Sequence, residues 1–172
     1  FRLGAALERA CQTARILDVK YHMLLPAVEE VGTPADNAHW VAILMSCSGY
    51  EPFHKKPRLL PADPGAAVAE FLILDDEFPR SVKECITECR RSAEAIASVA
   101  GLGVAEPDRK LTELAVWLDV RDIQTIIKDG LHESLTHVVD AIHDIGDAIR
   151  TTYFEAGRPA DKPPQTQTQS QG

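Results

Sequence analysis

The apolar residues near the end of the chain, Leu131, Leu135, Val138, Val139, Ile142, Ile145, Ile149 and Tyr153, recur three or four positions apart. That rhythm gathers them on one side of an α-helix. The opening stretch behaves alike: at about 100° per residue, Ala6, Leu7, Ala10, Ala14, Leu17, Tyr21 and Leu24 share a broad apolar arc, while Glu8, Gln12, Arg15 and His22 fall opposite. A helix over residues 1–25 follows, closed by Pro26 and the Gly32-Thr33-Pro34 turn, with Glu8 in reach of Gln12, and Asp18 in reach of Arg15 or His22. Residues 36–48 carry Trp40, Val41, Ile43, Leu44 and Met45 on nearly all sides, which predicts the central, most buried helix.

Pro52, Pro57, Pro61, Pro64 and Gly65 then predict the longest irregular stretch, followed by a short helix over 66–74 burying Val68, Phe71 and Leu72. A longer helix starts at Pro79 or at the box Ser81 to Glu84 and buries Val82, Cys85, Ile86, Cys89, Ala93, Ile96, Ala97 and Ala100 before Gly101 and Gly103 stop it. A helix over 107–119 and a short turn with Ile123, Ile126 and Ile127 precede the last one. No segment alternates with period two. The fold class is therefore all-α, an antiparallel bundle of about five to seven helices over residues 1–156. From Gly157 onward, Pro159, Pro163, Pro164 and the Gln-Thr repeats have nothing to bury, which predicts a disordered tail over 157–172.

The 172 residues suit one domain, and a formal charge of -8 removes the electrostatic grip that nucleic acid requires. The small basic cluster His54, Lys55, Lys56 and Arg58 does not reverse that balance. No apolar run approaches the roughly 20 residues of a spanning helix, so no membrane role is expected. Cys11, Cys47, Cys85 and Cys89 lack C-x-x-C spacing and read as reduced thiols, mostly at the core, which points to the cytoplasm. Phe1 and Leu3 already belong to the first apolar arc without a cap, a start that predicts a fragment of a longer protein.

Helical bundles can hold carboxylate-histidine metal sites, and Asp140-x-x-His143, Glu133-x-x-x-His137 and Asp18-x-x-x-His22 supply the raw material. Glu133, His137, Asp140, Asp144 and Asp147 equally trace a solvated stripe opposite the isoleucines, and no convergence of several helices is visible in the spacing. No metal and no cofactor is expected. No Gly-x-Ser-x-Gly elbow is present, and Gly101-Leu102-Gly103 follows a helix, which makes it a helix stop and not a phosphate cradle. The acids of FLILDDEFPRS (71–81), and His132 and Glu133 of DGLHES (129–134), flank helix starts, where capping and dipole compensation account for them.

The segments LGAALERACQTARILDVKYHMLLP, VGTP, FLILDDEFPRS and GLHES, in that order, resemble the second half of the bacterial alpha-E domain family, all-helical proteins with a Glu-Arg motif. Here the motif is Glu8-Arg9, followed by Ala10, Thr13, Arg15, Ile16, Leu17, Asp18 and Tyr21 in the family pattern. Ala5, Cys11 and Asp76 depart from it. The resemblance implies a related helical half ahead of this one, and a setting beside circularly permuted ATP-grasp enzymes and transglutaminase-like peptidases. It brings no established activity.

Three roles follow for the polar stripe. As a binding or scaffolding surface, Glu8, Arg9, Arg15, Asp18 and Tyr21, with His132 and Glu133, would dock an ATP-grasp ligase, a transglutaminase-like peptidase or a peptide substrate. Arginine suits that task through its planar fork. As an enzyme, Glu8 would be the acid or base and Arg9 or Arg15 a charge clamp. As pure structure, Glu8 and Arg15 would bridge neighbouring helices and fix their register.

Overall fold

The structure, a computed structural model, describes residues 1–23, 34–56, 63–100 and 105–155. These form eight α-helices and no strand: α1 (Arg2–Met23), α2 (Pro34–Ser46), α3 (Tyr50–Lys55), α4 (Pro64–Leu74), α5 (Val82–Ala100), α6 (Glu106–Asp119), α7 (Ile123–Asp129) and α8 (Leu131–Arg150), the last continued by a π-helical turn, Thr151–Glu155. The all-α class expected from the periodicity is what the chain adopts. The expected disordered tail lies outside the described residues.

Four long helices close a ring, each packed on the next: α1 on α5, α5 on α6, α6 on α8, and α8 back on α1. Every neighbour runs antiparallel. Thr13 of α1 reaches the carbonyl of Arg80, just ahead of α5, while Leu3 faces Cys89 further along it. Lys83 of α5 meets Asp119 at the far end of α6, and Lys110 of α6 meets Asp144 late in α8. The core of this four-helix bundle holds Leu17, Ile86, Leu111, Leu118, Leu135 and Ile145, all essentially inaccessible. Each such side chain contributes about 1.5–3 kcal/mol by leaving water.

α4 and α7 lie at one end of the ring, where α1 and α6 finish and α5 and α8 begin. α4 buries eight of its 11 residues, Phe71 among them. Phe71 stacks on Phe78 at 4.5 Å and meets Phe53 edge-on at 5.4 Å. At the opposite end, among the described residues, Phe1, Val99 and Phe154 are strongly exposed.

Three expectations are corrected. α2 is not the central helix: Ile43 and Leu44 are buried, but Met45 is 63% exposed and Trp40 only partly covered. α2 packs on α1 and α4 at the side of the bundle, and it is α1 that touches both α5 and α8 most extensively. The irregular stretch around Pro52 begins with α3, because Pro52 sits in the first turn, where its missing N–H costs nothing. Ser48 makes the joint in a left-handed conformation (φ 54°). Finally, α5 outruns its neighbours: Val82 to Ala93 are buried as expected, but Ile96 is 42% exposed.

Candidate functional site

α1 presents Arg2, Ala5, Glu8, Arg9 and Gln12 along one edge, with Phe1 just ahead of it, at the three- and four-residue spacing that stacks side chains on a helix. Glu88 of α5 faces them across an open groove of about 570 Å³. Its carboxylates have local partners. Gln12 Nε2 donates to Glu8 at 3.1 Å, the contact anticipated from the spacing, and Glu88 lies 3.8 Å from Arg91. Its guanidinium groups are less committed. Arg9 is half-buried and spends only Nε, on the Ala5 carbonyl at 3.3 Å, and neither Arg2 nor Arg9 has an ion pair among the described residues. A guanidinium has five donors in a rigid fork, so this edge can take a carboxylate or another planar anion.

A second polar contact joins α1 to α8. Asp18 Oδ1 is 2.6 Å from His132 Nδ1, and Arg15 Nη2 is 3.0 Å from His143 Nε2. Asp18 therefore reaches across to α8, a partner the helical spacing alone could not supply. The hydrogen bond to Asp18 pushes the His132 pKa above its ordinary 6.5. A guanidinium can only donate, so in this contact His143 Nε2 is the acceptor. Glu133 is exposed, its carboxylate folded over Gly130 at the amino end of α8, where it offsets the helix dipole. Tyr21 lies within α1, but its side chain, like that of His22, is outside the described residues.

The chain matches, over residues 1–154, the model of the alpha-E family, described as a predicted alpha-helical domain with a conserved ER motif. Glu8-Arg9 is the one Glu-Arg dipeptide in the sequence. The chain belongs to the alpha-E family. No curated protein and no solved structure matches it.

Within this alpha-E chain, five of the seven predicted residues fall into two groups, Glu133 belonging to neither and the Tyr21 side chain lying outside the described residues. Glu8 and Arg9 line the α1–α5 groove; Arg15, Asp18 and His132 belong to the α1–α8 seam. Sequence reasoning missed Arg2 and Glu88 of the groove, and weighed His143 only as a metal ligand beside Asp140, not as the partner of Arg15 in the seam. Arg2 carried a signal, being seven residues ahead of Arg9 on the same edge. Glu88 and His143 carried none, since only helix packing brings them in.

Asp75 accepts from the backbone N–H of Glu77 at 3.0 Å and of Phe78 at 2.7 Å, and holds Lys56 Nζ at 2.7 Å. Ser81 Oγ accepts from Glu84 N at 3.0 Å and caps α5, but the reciprocal half of the expected Ser81-Glu84 box is not made: Ser81 N–H donates to the Phe78 carbonyl and the Glu84 carboxylate takes Arg91 at 3.1 Å. Lys56 of the small basic cluster is thus committed to the Asp75 turn. Cys47, Cys85 and Cys89 are buried, and burial raises their pKa values to about 11, about 11 and about 12. They are protonated thiols at neutral pH, poor nucleophiles and poor ligands. Among the described residues no three His, Cys, Asp or Glu side chains group to hold a metal ion, and no helix is long and apolar enough to cross a membrane.

Proposed function

We propose that this alpha-E domain is a binding component of a cytoplasmic peptide-ligation or peptide-modification system. It presents a carboxylate-bearing peptide segment to an ATP-grasp ligase or a transglutaminase-like peptidase. The observation that carries the reading is the imbalance in the α1–α5 groove, where Glu8 and Glu88 have local partners while the terminal nitrogens of Arg9 and the whole fork of Arg2 are uncommitted. The family's motif residues, Glu8 and Arg9, line that groove. Gln12 steadies Glu8, Glu8 keeps wrong anions from lying flat along α1, and Arg9 grips the carboxylate. The association with ligase and peptidase partners rests on the family resemblance of the sequence.

A tetraglutamate peptide carrying a fluorophore tests the groove. It should bind the intact chain saturably, and Arg9→Gln should weaken binding by about tenfold, the effect of one charge-assisted contact. Arg9→Lys should recover only part, because an ammonium cannot hold a carboxylate bidentately. Copurification with the ATP-grasp and transglutaminase-like proteins tests the setting. Unchanged peptide affinity in Arg9→Gln, or recovery of neither partner, overturns the respective half of the reading.

A further inference from the structure

The two arginines of the α1–α5 groove stand in a fixed register. Arg2 and Arg9 are seven residues apart on α1, close to two helical turns, which sets their stems about 10.5 Å apart along one edge. Ala5 lies between them on that edge, and Glu8, beside Arg9, is turned to Gln12. α5 runs antiparallel alongside, with Thr13 Oγ1 donating to the Arg80 carbonyl at 2.8 Å and Cys89 Sγ 3.6 Å from the Leu3 carbonyl. Each step up α5 is therefore about one step down α1, and Glu88 comes level with Ala5. Its carboxylate makes no hydrogen bond among the described residues: Arg91 is 3.8 Å away and sits closer to Glu84, at 3.1 Å. Along its length the groove thus reads cation, anion, cation at intervals of about one helical turn.

An extended chain does not match this spacing. At about 3.3 Å per residue its same-face side chains fall about 6.6 Å or about 13 Å apart, and a pair three residues apart, which spans about 10 Å, points to opposite faces. A helix matches it by construction. Its residues i, i+4 and i+7 share one face, with i and i+7 about 10.5 Å apart and i+4 near the middle. Acids at i and i+7 would meet Arg2 and Arg9, and a lysine or arginine at i+4 would meet Glu88. Ala5 is the smallest side chain along the edge and leaves the middle of the groove open to that longer side chain. The overall charge of -8 repels an acidic partner in general, so recognition has to come from the local alternation.

We propose that the α1–α5 groove seats a helical segment of a partner polypeptide that carries acid, base and acid at i, i+4 and i+7. The proposal rests on the reading of Arg9 as a carboxylate grip, and adds the shape of the ligand and two further contacts, Arg2 and Glu88. It is recognition of a helix in a groove, in which charges spaced by whole turns fix the register of the guest.

Two alanine-rich peptides of about 18 residues, long enough to be helical in isolation and carrying a fluorophore, test it against the full chain. One has Glu at i and i+7 with Lys at i+4; in the other the second Glu is moved to i+5, which keeps composition and net charge but turns that acid to another face. Circular dichroism checks that the two are equally helical. The first should bind saturably and about two- to fivefold tighter than the second, the size of one exposed ion pair. Arg2→Gln should erase that difference, whereas Arg9→Gln should weaken both peptides. Glu88→Gln should weaken the first, and should have no effect once its Lys is replaced by Ala. Equal affinity for the two peptides, an Arg2→Gln variant that still tells them apart, a Glu88→Gln effect that survives loss of the Lys, or no binding of either peptide overturns the helical register. If tetraglutamate still depends on Arg9 in that event, the carboxylate grip stands without it; if Arg9→Gln is silent there too, both fall.

Discussion

The Asp18 carboxylate and the His132 ring, 114 residues apart in the chain, meet at 2.6 Å and tie the carboxyl half of α1 to the first turn of α8. The contact favours the protonated ring, so its stabilising effect has a definite pH dependence. His132 has its folded pKa raised above 6.5 by the hydrogen bond to Asp18. A raised folded pKa means stability that is fully present below the unfolded value and lost as pH rises through the folded one. The difference in melting temperature between the parent and Asp18→Asn should therefore be largest near about pH 5–6 and shrink steadily toward about pH 9. In the same variant the His132 titration followed by NMR should shift downward. A difference that is flat across this range would rule the linkage out.

Asp75 runs in the opposite sense. Burial alone would raise its pKa, but Lys56 and the N–H groups of Glu77 and Phe78 outweigh that and hold it below the usual 3.8. A depressed carboxylate contributes stability above its unfolded pKa and loses it as pH falls through the folded value. Asp75→Ala removes the acceptor of two backbone N–H groups ahead of α5, and should cost about 2 kcal/mol in urea unfolding at neutral pH. Asp75→Asn retains an acceptor oxygen and should cost less. Equal losses for the two variants would place the effect elsewhere than in the turn's hydrogen bonds.

Much of the fold was legible because α5 and α8 are amphipathic along most of their length. Their apolar residues repeat at helical spacing, and the predicted sets Val82 to Ala93 and Leu131 to Ile145 are largely the buried ones. α2 was misjudged for a physical reason: a segment apolar all round does not say which neighbours cover it, and Met45 is left uncovered. Pro52 was misjudged because proline breaks a helix interior but not its first turn. At the candidate site, Glu8 and Gln12 were legible as neighbours on one helix, but the helical wheel grouped them with Arg15, which turns to α8, and Arg9 was singled out only by the Glu-Arg motif. The facing Glu88, and the histidines that receive Asp18 and Arg15, depend on packing register, which a single sequence does not carry.

Gly65 lets α2 approach α4. A Cβ there would stand 2.5 Å from Cζ2 and 2.9 Å from Cε2 of the Trp40 ring, closer than carbon atoms tolerate. Gly65→Ala should destabilise the protein by about 1–3 kcal/mol, the range for overpacking, despite the better helix propensity of alanine. Trp40→Leu in the Gly65→Ala background should return part of that loss, because the smaller side chain vacates the space. Additive losses in the double variant would contradict this steric account.

Thiol chemistry offers the last check on the packing. The thiolate is the reactive form of cysteine, and burial pushes the Cys47, Cys85 and Cys89 pKa values up to about 11, about 11 and about 12. Cys85 Sγ is also 3.4 Å from the Pro79 carbonyl and Cys89 Sγ 3.6 Å from the Leu3 carbonyl, contacts that use the S–H proton. Cys11 differs, since α1 leaves it only partly covered. A disulfide reagent added to the native protein should label Cys11 first, with the other three reacting at rates set by opening of the bundle. In denaturing urea all four should react alike. Rapid native labelling of Cys85 or Cys89 would mean that α1 separates from α5 readily, and the groove built on those two helices would then be a transient feature.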